Sequence, residues 1–418
     1  MGYFKVWGGG LPVSGEVCIS GAKNAALPII AAAVLCKRVC LENCPRLSDT
    51  ATAAEILDTA GFCFDRCGGG VNIEKTDIGC ACIPQEMCGK MRSSVLFIAP
   101  LLRRFGCVTL FMPGGCRLGA RPVDMHLDLL REMGAKISIC GDSITARADN
   151  LHGIKTRLPF PSVGATETAI MAAVCAEGES EIHNAAKEPE IDDLCAFLNK
   201  AGADIRRGEI LVIRGRNSLL GDVRHRIMPD RIEAGTYMAA AAITGGELFL
   251  KNAVYEHISA FAEVLMQMGC AVRENGDSIY IEAPERLYNP EYIATAPYPL
   301  FPTDMQPQLT ALAAVKCGDC LIKENIFETR CGHVPQLNKM GAKIELLSRR
   351  EFLVHGTESR LSPAVTEAAD LRCGAALILA ALAADGCSVI KNGGYILRGY
   401  EDICKKMSLI GVKIKYCT

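Results

Sequence analysis

The chain has 418 residues, half of them hydrophobic, and a formal net charge of −2. That length exceeds what one hydrophobic core usually organises, so two domains are expected, while the near-neutral charge excludes the broad basic surface of a nucleic-acid binder. The longest apolar stretches, such as Leu27 to Cys36, are too short to span a bilayer, and no basic segment, apolar run and cleavage site open the chain. A cytoplasmic protein with no nucleic-acid partner and no membrane insertion is expected.

Taken in chain order, one pattern recurs. An apolar helical block ends in Ala, Met or Ile followed by Gly at Ala60-Gly61, Met133-Gly134, Ala201-Gly202, Met268-Gly269, Met340-Gly341 and Ile410-Gly411, with gaps of 73, 68, 67, 72 and 70 residues. Each glycine suits a helix C-terminal cap, because it closes a helical periodicity such as Leu127, Leu130, Met133. It then opens a strand-like run such as Ala135 to Ile139. Strands ending in Asn run in step at Asn43, Asn184, Asn252, Asn325 and Asn392, but the copy expected near 113 reads Pro113-Gly114. Six copies of one helix-and-strand unit are the simplest account, dividing into two sets of three, with copy two modified for chemistry.

The modified copy reads Pro-Gly-Gly-Cys-Arg-Leu-Gly-Ala-Arg-Pro over residues 113–122. Cys116 thus lies in a glycine-rich loop near Arg117 and Arg121, where fixed positive charge and backbone N–H groups favour the thiolate. It is the leading reactive group. The other members of the set of 22 cysteines are scattered through apolar segments and are expected to be reduced core residues. Cys317-Gly-Asp-Cys320 has CxxC spacing but no second pair, so no metal or cofactor is expected from it.

The six apolar helices are expected to begin near Ala22-Lys23-Asn24, Lys90-Met91-Arg92, Ser162-Val163-Gly164, Asp230-Arg231, Thr303-Asp304 and Asp370-Leu371-Arg372. Ser162, Thr303, Asp230 and Asp370 are good N-cap types and need no ligand to explain them. Capping does not explain Lys23, Arg92, Arg231 and Arg372, since cations oppose the dipole in a first turn. As a group they point to an anionic ligand.

The chain resembles the UDP-N-acetylglucosamine enolpyruvyl transferases in nine ordered motifs. These are Ser20-Gly-Ala-Lys-Asn-Ala-Ala-Leu-Pro28, Lys90-Met-Arg-Ser-Ser94, Pro113-Gly-Gly-Cys116, Gly119-Ala-Arg-Pro-Val-Asp124, Ser162-Val-Gly-Ala-Thr166, Asn184-Ala-Ala-Lys-Glu-Pro-Glu190, Pro229-Asp-Arg-Ile-Glu233, Phe301-Pro-Thr-Asp304 and Arg398-Gly-Tyr400. The resemblance implies an α/β fold: a two-domain inside-out α/β barrel of six helix-and-strand repeats, three per domain, with the N-terminal strand returning to the C-terminal domain. The expected divisions are residues 22–229, carrying the Cys116 loop, and residues 1–21 with 230–418. It further implies transfer of enolpyruvyl from phosphoenolpyruvate to the 3-hydroxyl of UDP-N-acetylglucosamine with release of phosphate, the first committed step of peptidoglycan synthesis.

Residue roles follow from the same resemblance. Lys23, Arg121 and Arg398 match the positions that hold phosphoenolpyruvate. Cys116 matches the proton donor, which also forms an adduct with phosphoenolpyruvate, and Asp304 the group that takes the proton from the sugar hydroxyl. Asp304 could otherwise be only a helix cap. The segment Arg121-Pro122-Val123-Asp124-Met125 matches the uracil site, Ser162, Val163 and Gly164 the diphosphate turn, and Asn24, Arg92, Asp304 and Ile326 the surroundings of the amino sugar. Glu188, Asp230, Arg330, His333, Asp370 and Arg372 match a supporting shell, of which Arg330 and Arg372 are also counted with the substrate-binding residues. His333 alone, in Gly-His-Val-Pro, would be structural. No cofactor and no metal are implied, and fosfomycin is the implied covalent inhibitor.

Three positions depart from the family pattern. Leu397 stands where an acidic residue is usual, Phe160 where many members have lysine, and Cys331-Gly332 where bulkier residues precede the histidine. Leu397 and Phe160 motivate a second reading, a catalytically weak regulatory paralogue that binds the nucleotide sugar. A shikimate enolpyruvyl transferase is a third, opposed by the cysteine loop and the Arg-Pro-Val-Asp segment.

Overall fold

The structure is a computed structural model, and it describes residues 2–76, 79–114 and 123–418. The described residues separate into two compact units, one comprising those from 21 to 228, the other those up to 20 together with those from 229 to 418. Each has its own hydrophobic core, running from Ala22 to Met228 in the first and drawing Phe4, Val6, Val13, Val17 and Ile19 together with Ile232 to Ile414 in the second.

Among the described residues the strands form six small sheets, three in each unit. Five have four strands and share one plan, a parallel pair extended by antiparallel strands. The N-terminal strands are not local in their pairing. Ser14–Cys18 lies parallel to Glu247–Lys251, and Tyr3–Gly8 lies between Gly386–Lys391 and Lys413–Cys417. The sixth sheet, Cys107–Phe111 with Lys136–Cys140 and Ser143–Arg147, keeps only three strands, and an isolated parallel bridge from Cys82 to Thr109 stands where the fourth would be. It belongs to the copy that carries the Pro113 loop.

Helices fill the inside of each unit. Arg231–Thr244, Gln306–Ala313 and Leu371–Leu382 pack on one another in one unit, and nearly every residue of the three is buried. Lys23–Ala32, Ile98–Phe105 and Val163–Ala173 take the corresponding places in the other. A helix apolar on all sides has no face to give to solvent, so it must be enclosed. Runs such as Ala239 to Ala242 and Ala375-Ala376 keep side chains small where helices meet. This is the inside-out barrel arrangement, with sheets outside and apolar helices within. No helix of the described residues is long and apolar enough to cross a membrane.

Both repeat markers have a physical basis. Gly61, Gly134, Gly202, Gly269, Gly341 and Gly411 all have φ between 77° and 116°, the left-handed region that ends a helix at low cost only for glycine. Asn43, Asn184, Asn252 and Asn392 also turn left-handed, with φ of 53–57°. Their side-chain amides donate to the carbonyls of Ile227, Leu158, Ile19 and Ala368, each a few residues before an inner helix. Asn325 donates to Thr295 O in the same way, yet it does not share the left-handed turn.

One expectation needs correction. The cysteines are not uniformly core residues: eight of the 21 described are buried and seven are exposed, the latter including Cys63, Cys67 and Cys140 on strands. Their strands have a solvent side that composition alone does not reveal. The Ala135 to Ile139 run forms the strand Lys136–Cys140 as expected, with Ile139 47% exposed.

Candidate active site

In each unit several of the expected site residues lie at the starts of the inner helices. In the first unit Lys23 opens the helix Lys23–Ala32 beside half-buried Asn24. Its ammonium lies 2.7 Å from Asp49 Oδ2, in the first turn of Ser48–Thr59. Asp49 is 4% exposed and was not singled out in the sequence; its position as the second residue of an unremarkable helix start gave no signal.

Arg92 begins the 3-10 turn Arg92–Phe97 that leads into the next inner helix. Buried His126 hydrogen-bonds through Nδ1 to Thr168 Oγ1 at 2.7 Å, and burial, with the Arg92 charge second, pushes its pKa down to about 4. Gly164 lies against the same ring, where a Cβ would come within 2.9 Å of His126 Cε1. That contact explains glycine in the turn. Ser162 caps the helix, accepting from Ala165 N–H, and Val163 and Gly164 form its first turn, where helices present N–H groups.

Val123 is buried, while Asp124 and Met125 open the helix Asp124–Glu132, with Asp124 exposed. Glu188 precedes the helix Pro189–Lys200. Nearby Glu167 is fully buried, and desolvation, followed by the charges of Glu190 and Glu188, drives its carboxyl well above the usual range. Cys116, Arg121 and Pro122 lie outside the described residues.

The second unit assembles a tighter constellation. Asp304 Oδ1 accepts from Arg330 Nη1 at 2.7 Å, and Asp304 Oδ2 from Arg372 Nη2 at 2.9 Å. Burial pushes the Asp304 carboxyl up, but the Arg372 and Arg330 guanidiniums outweigh it and hold the group well below the usual carboxylate range. Asp304 is therefore not a simple cap. Thr303 does not cap either: its hydroxyl donates to Glu324 Oε2, whereas Asp230 and Asp370 do cap, each accepting two N–H groups.

The surroundings fix these groups further. Burial opposes the Arg372 charge and Asp304 more than offsets it; Arg372 also donates to Tyr400 OH, which is bonded to Thr236 Oγ1 at 2.8 Å. Arg330 stacks 4.5 Å from the Phe327 ring centroid. His333 is 1% exposed, and burial together with Arg330 pushes its pKa down to about 3, so it serves as a neutral packed ring near Gln306. Half-buried Arg398 ends the 3-10 turn Gly393–Arg398, and Ile326 is half-buried in the segment after the strand Cys317–Lys323.

The three departures have distinct environments. Leu397 packs against the core of its unit and Phe160 is 42% exposed. Gly332 closely approaches Ala369, since a Cβ there would lie 2.8 Å from Ala369 Cβ. A larger residue at 332 would require that neighbour to move.

The chain belongs to the EPSP synthase (3-phosphoshikimate 1-carboxyvinyltransferase) family, which it matches over residues 8–407. Within it, the chain is 44% identical over 414 residues to the UDP-N-acetylglucosamine 1-carboxyvinyltransferase of Finegoldia magna, covering 97% of this chain and 96% of that one. It is 43% identical over 416 residues to UDP-N-acetylglucosamine 1-carboxyvinyltransferase 1 of Carboxydothermus hydrogenoformans, covering 99% and 97%. Among solved structures it is similar to the enolpyruvyl transferase NikO from Streptomyces tendae, with TM-score 0.89, 25% identity and coverage of 100% and 99%. An EPSP synthase from Acinetobacter baumannii shares the fold at TM-score 0.76 and 18% identity, with both chains fully covered.

Proposed function

We propose that this enzyme transfers the enolpyruvyl group of phosphoenolpyruvate to the 3-hydroxyl of UDP-N-acetylglucosamine and releases phosphate, at the first committed step of peptidoglycan synthesis in the cytoplasm. The observation that carries the reading is the 44% identity, over nearly the whole of both chains, to a UDP-N-acetylglucosamine 1-carboxyvinyltransferase. The arrangement of Asp304, Arg330 and Arg372 supports it.

Phosphoenolpyruvate carries a carboxylate and a phosphate, and Lys23, Arg121 and Arg398 are the cations assigned to it. Cys116 delivers a proton to its methylene carbon, which leaves the adjacent carbon electron-poor. The sugar hydroxyl attacks that carbon, its proton passing to Asp304. Loss of phosphate, with return of one proton of the resulting methyl group to the Cys116 thiolate, then restores the double bond. Asp304 is a weak base while two guanidiniums hold it. Proton transfer becomes favourable only as the C–O bond forms, because the attacking hydroxyl oxygen is then far more acidic. Uracil is assigned to residues 121–125, the diphosphate to Ser162, Val163 and Gly164, and the amino sugar to Asn24, Arg92 and Ile326. Asp230, Asp370, Glu188 and His333 support these groups.

The test is a steady-state phosphate-release assay with both substrates. Release that requires UDP-N-acetylglucosamine is expected, whereas release only when shikimate-3-phosphate replaces it would transfer the chain to the other branch of the family. A protein that binds the nucleotide sugar without releasing phosphate would be the regulatory paralogue.

A further inference from the structure

The fifth copy breaks the asparagine rule, and the residue before Asn325 shows why. In the other copies that residue is Glu42, His183, Lys251 or Lys391, each at least partly exposed, whereas Glu324 is 0% exposed. Its Oε1 accepts from Thr295 Oγ1 at 2.9 Å, Ile326 N at 2.8 Å and Phe327 N at 3.0 Å, and its Oε2 accepts from Thr303 Oγ1 at 2.8 Å. Thr295 Oγ1 in turn accepts from Asn325 N–H. One buried carboxylate thus joins the strand end near 295, the turn at 303 and the segment 324–327.

We propose that Glu324 is a positioning residue for the sugar-side chemistry, setting Ile326 directly and setting Arg330 and Asp304 through the Thr303 hydroxyl. The inference rests on the reading of Asp304 as the group that takes the sugar proton. A buried carboxylate is costly unless its acceptor sites are filled, and a scaffold alone could use a neutral residue. What only a carboxylate supplies is direction. It can only accept, so the Thr303 hydroxyl must donate to it and keep its lone pairs for Arg330 Nη1 at 2.9 Å. The same Nη1 donates to Asp304 Oδ1 at 2.7 Å. Polarity therefore runs one way from Arg330 to Thr303 to Glu324, and Arg330 is held where it meets Asp304.

Glu324→Gln nearly preserves shape but turns an NH₂ group either toward Thr303, whose hydroxyl must then accept instead of donate, or toward the Ile326 and Phe327 N–H groups, where donor meets donor. The expected result is a fall in kcat of roughly tenfold to a hundredfold, the range of one hydrogen bond to a charged group. KM for phosphoenolpyruvate should change by less than about twofold, since that substrate is assigned to other cations. The acidic limb of the kcat/KM profile should move to higher pH as Asp304 loses part of its guanidinium contact. Thr303→Val removes the relay and the donor to Glu324 Oε2 while leaving the other donors to Glu324 in place, and should shift the same limb, while Thr303→Ser should restore it.

Wild-type turnover and an unmoved acidic limb in Glu324→Gln and Thr303→Val would overturn the inference. So would a Glu324→Gln protein that fails to fold beside a Thr303→Val protein with wild-type kinetics, since Glu324 would then be scaffold only. Absence of phosphate release from the wild-type enzyme would instead remove the functional reading beneath it.

Discussion

Lys23 Nζ lies 2.7 Å from Asp49 Oδ2, and both side chains are largely withdrawn from water, at 13% and 5% exposure. If Lys23 receives the acidic substrate, as proposed, this pair holds the ammonium in place before the substrate arrives. The pair also settles how a lysine can sit in a helix's first turn: the carboxylate counters the unfavourable dipole.

Removing one partner of a buried pair leaves the other charged and desolvated. Asp49→Ala should destabilise the protein by about 3 kcal/mol, as read by urea unfolding, and should raise KM for phosphoenolpyruvate because Lys23 is no longer held. Wild-type values for both quantities would show that the pair neither stabilises the fold nor orients Lys23.

Acid should destabilise the fold through its buried histidines. His126 and His333 have pKa values pushed down to about 4 and about 3 by burial, with Arg92 and Arg330 as second causes, against about 6.5 in an unfolded chain. Below pH 6.5 the unfolded chain binds protons that the folded one refuses. Stability is therefore full above about pH 7 and declines as pH falls toward 4 and then 3. Each histidine contributes a loss of about 1.4 kcal/mol for every pH step over which only the unfolded chain holds its proton. Urea unfolding at pH 7.5 and pH 5 reads the difference. It should shrink in His126→Gln, which keeps a hydrogen-bonding group for Thr168 but does not titrate.

Arg398 is expected to separate the two substrates. If it binds phosphoenolpyruvate, Arg398→Ala should raise KM for that substrate at least about tenfold, while the calorimetric affinity for UDP-N-acetylglucosamine stays within about twofold. A mutant with wild-type kinetics for both would remove the residue from the site.

Cys116 should be the site of fosfomycin alkylation. Its buried competitors are handicapped, because burial pushes the thiols of Cys36, Cys195, Cys320 and Cys373 up to about 12 and raises that of Cys331. Cys116→Ser should escape inactivation, and Cys116→Asp should resist the drug yet retain an ionisable proton carrier and turnover. Peptide mass spectrometry decides it. An adduct on Cys317 or Cys331 with Cys116 unmodified would show the loop to have been misread.

The fold was legible where the cause is local. A left-handed turn after a helix selects glycine, and a left-handed turn after a strand selects asparagine, so the six Gly positions and four of the five Asn positions state their backbone conformation in the sequence. The helix starts are local for the same reason. Asn325 kept its side-chain bond but not its turn, because Glu324 before it is drawn inward by partners as far away as Thr295 and Thr303.

The candidate site was legible only in part. Family resemblance singled out Asp304, Arg330 and Arg372, but not that both guanidiniums would reach the same carboxylate, one from 26 and the other from 68 residues away. Asp49, Glu324 and His126 had no assigned role, and which cysteines face water was misjudged. The division is physical. Backbone turns depend on the residue that makes them, so one chain of letters determines them, whereas the partner of a buried charge depends on which helix starts converge, and only the folded chain decides that.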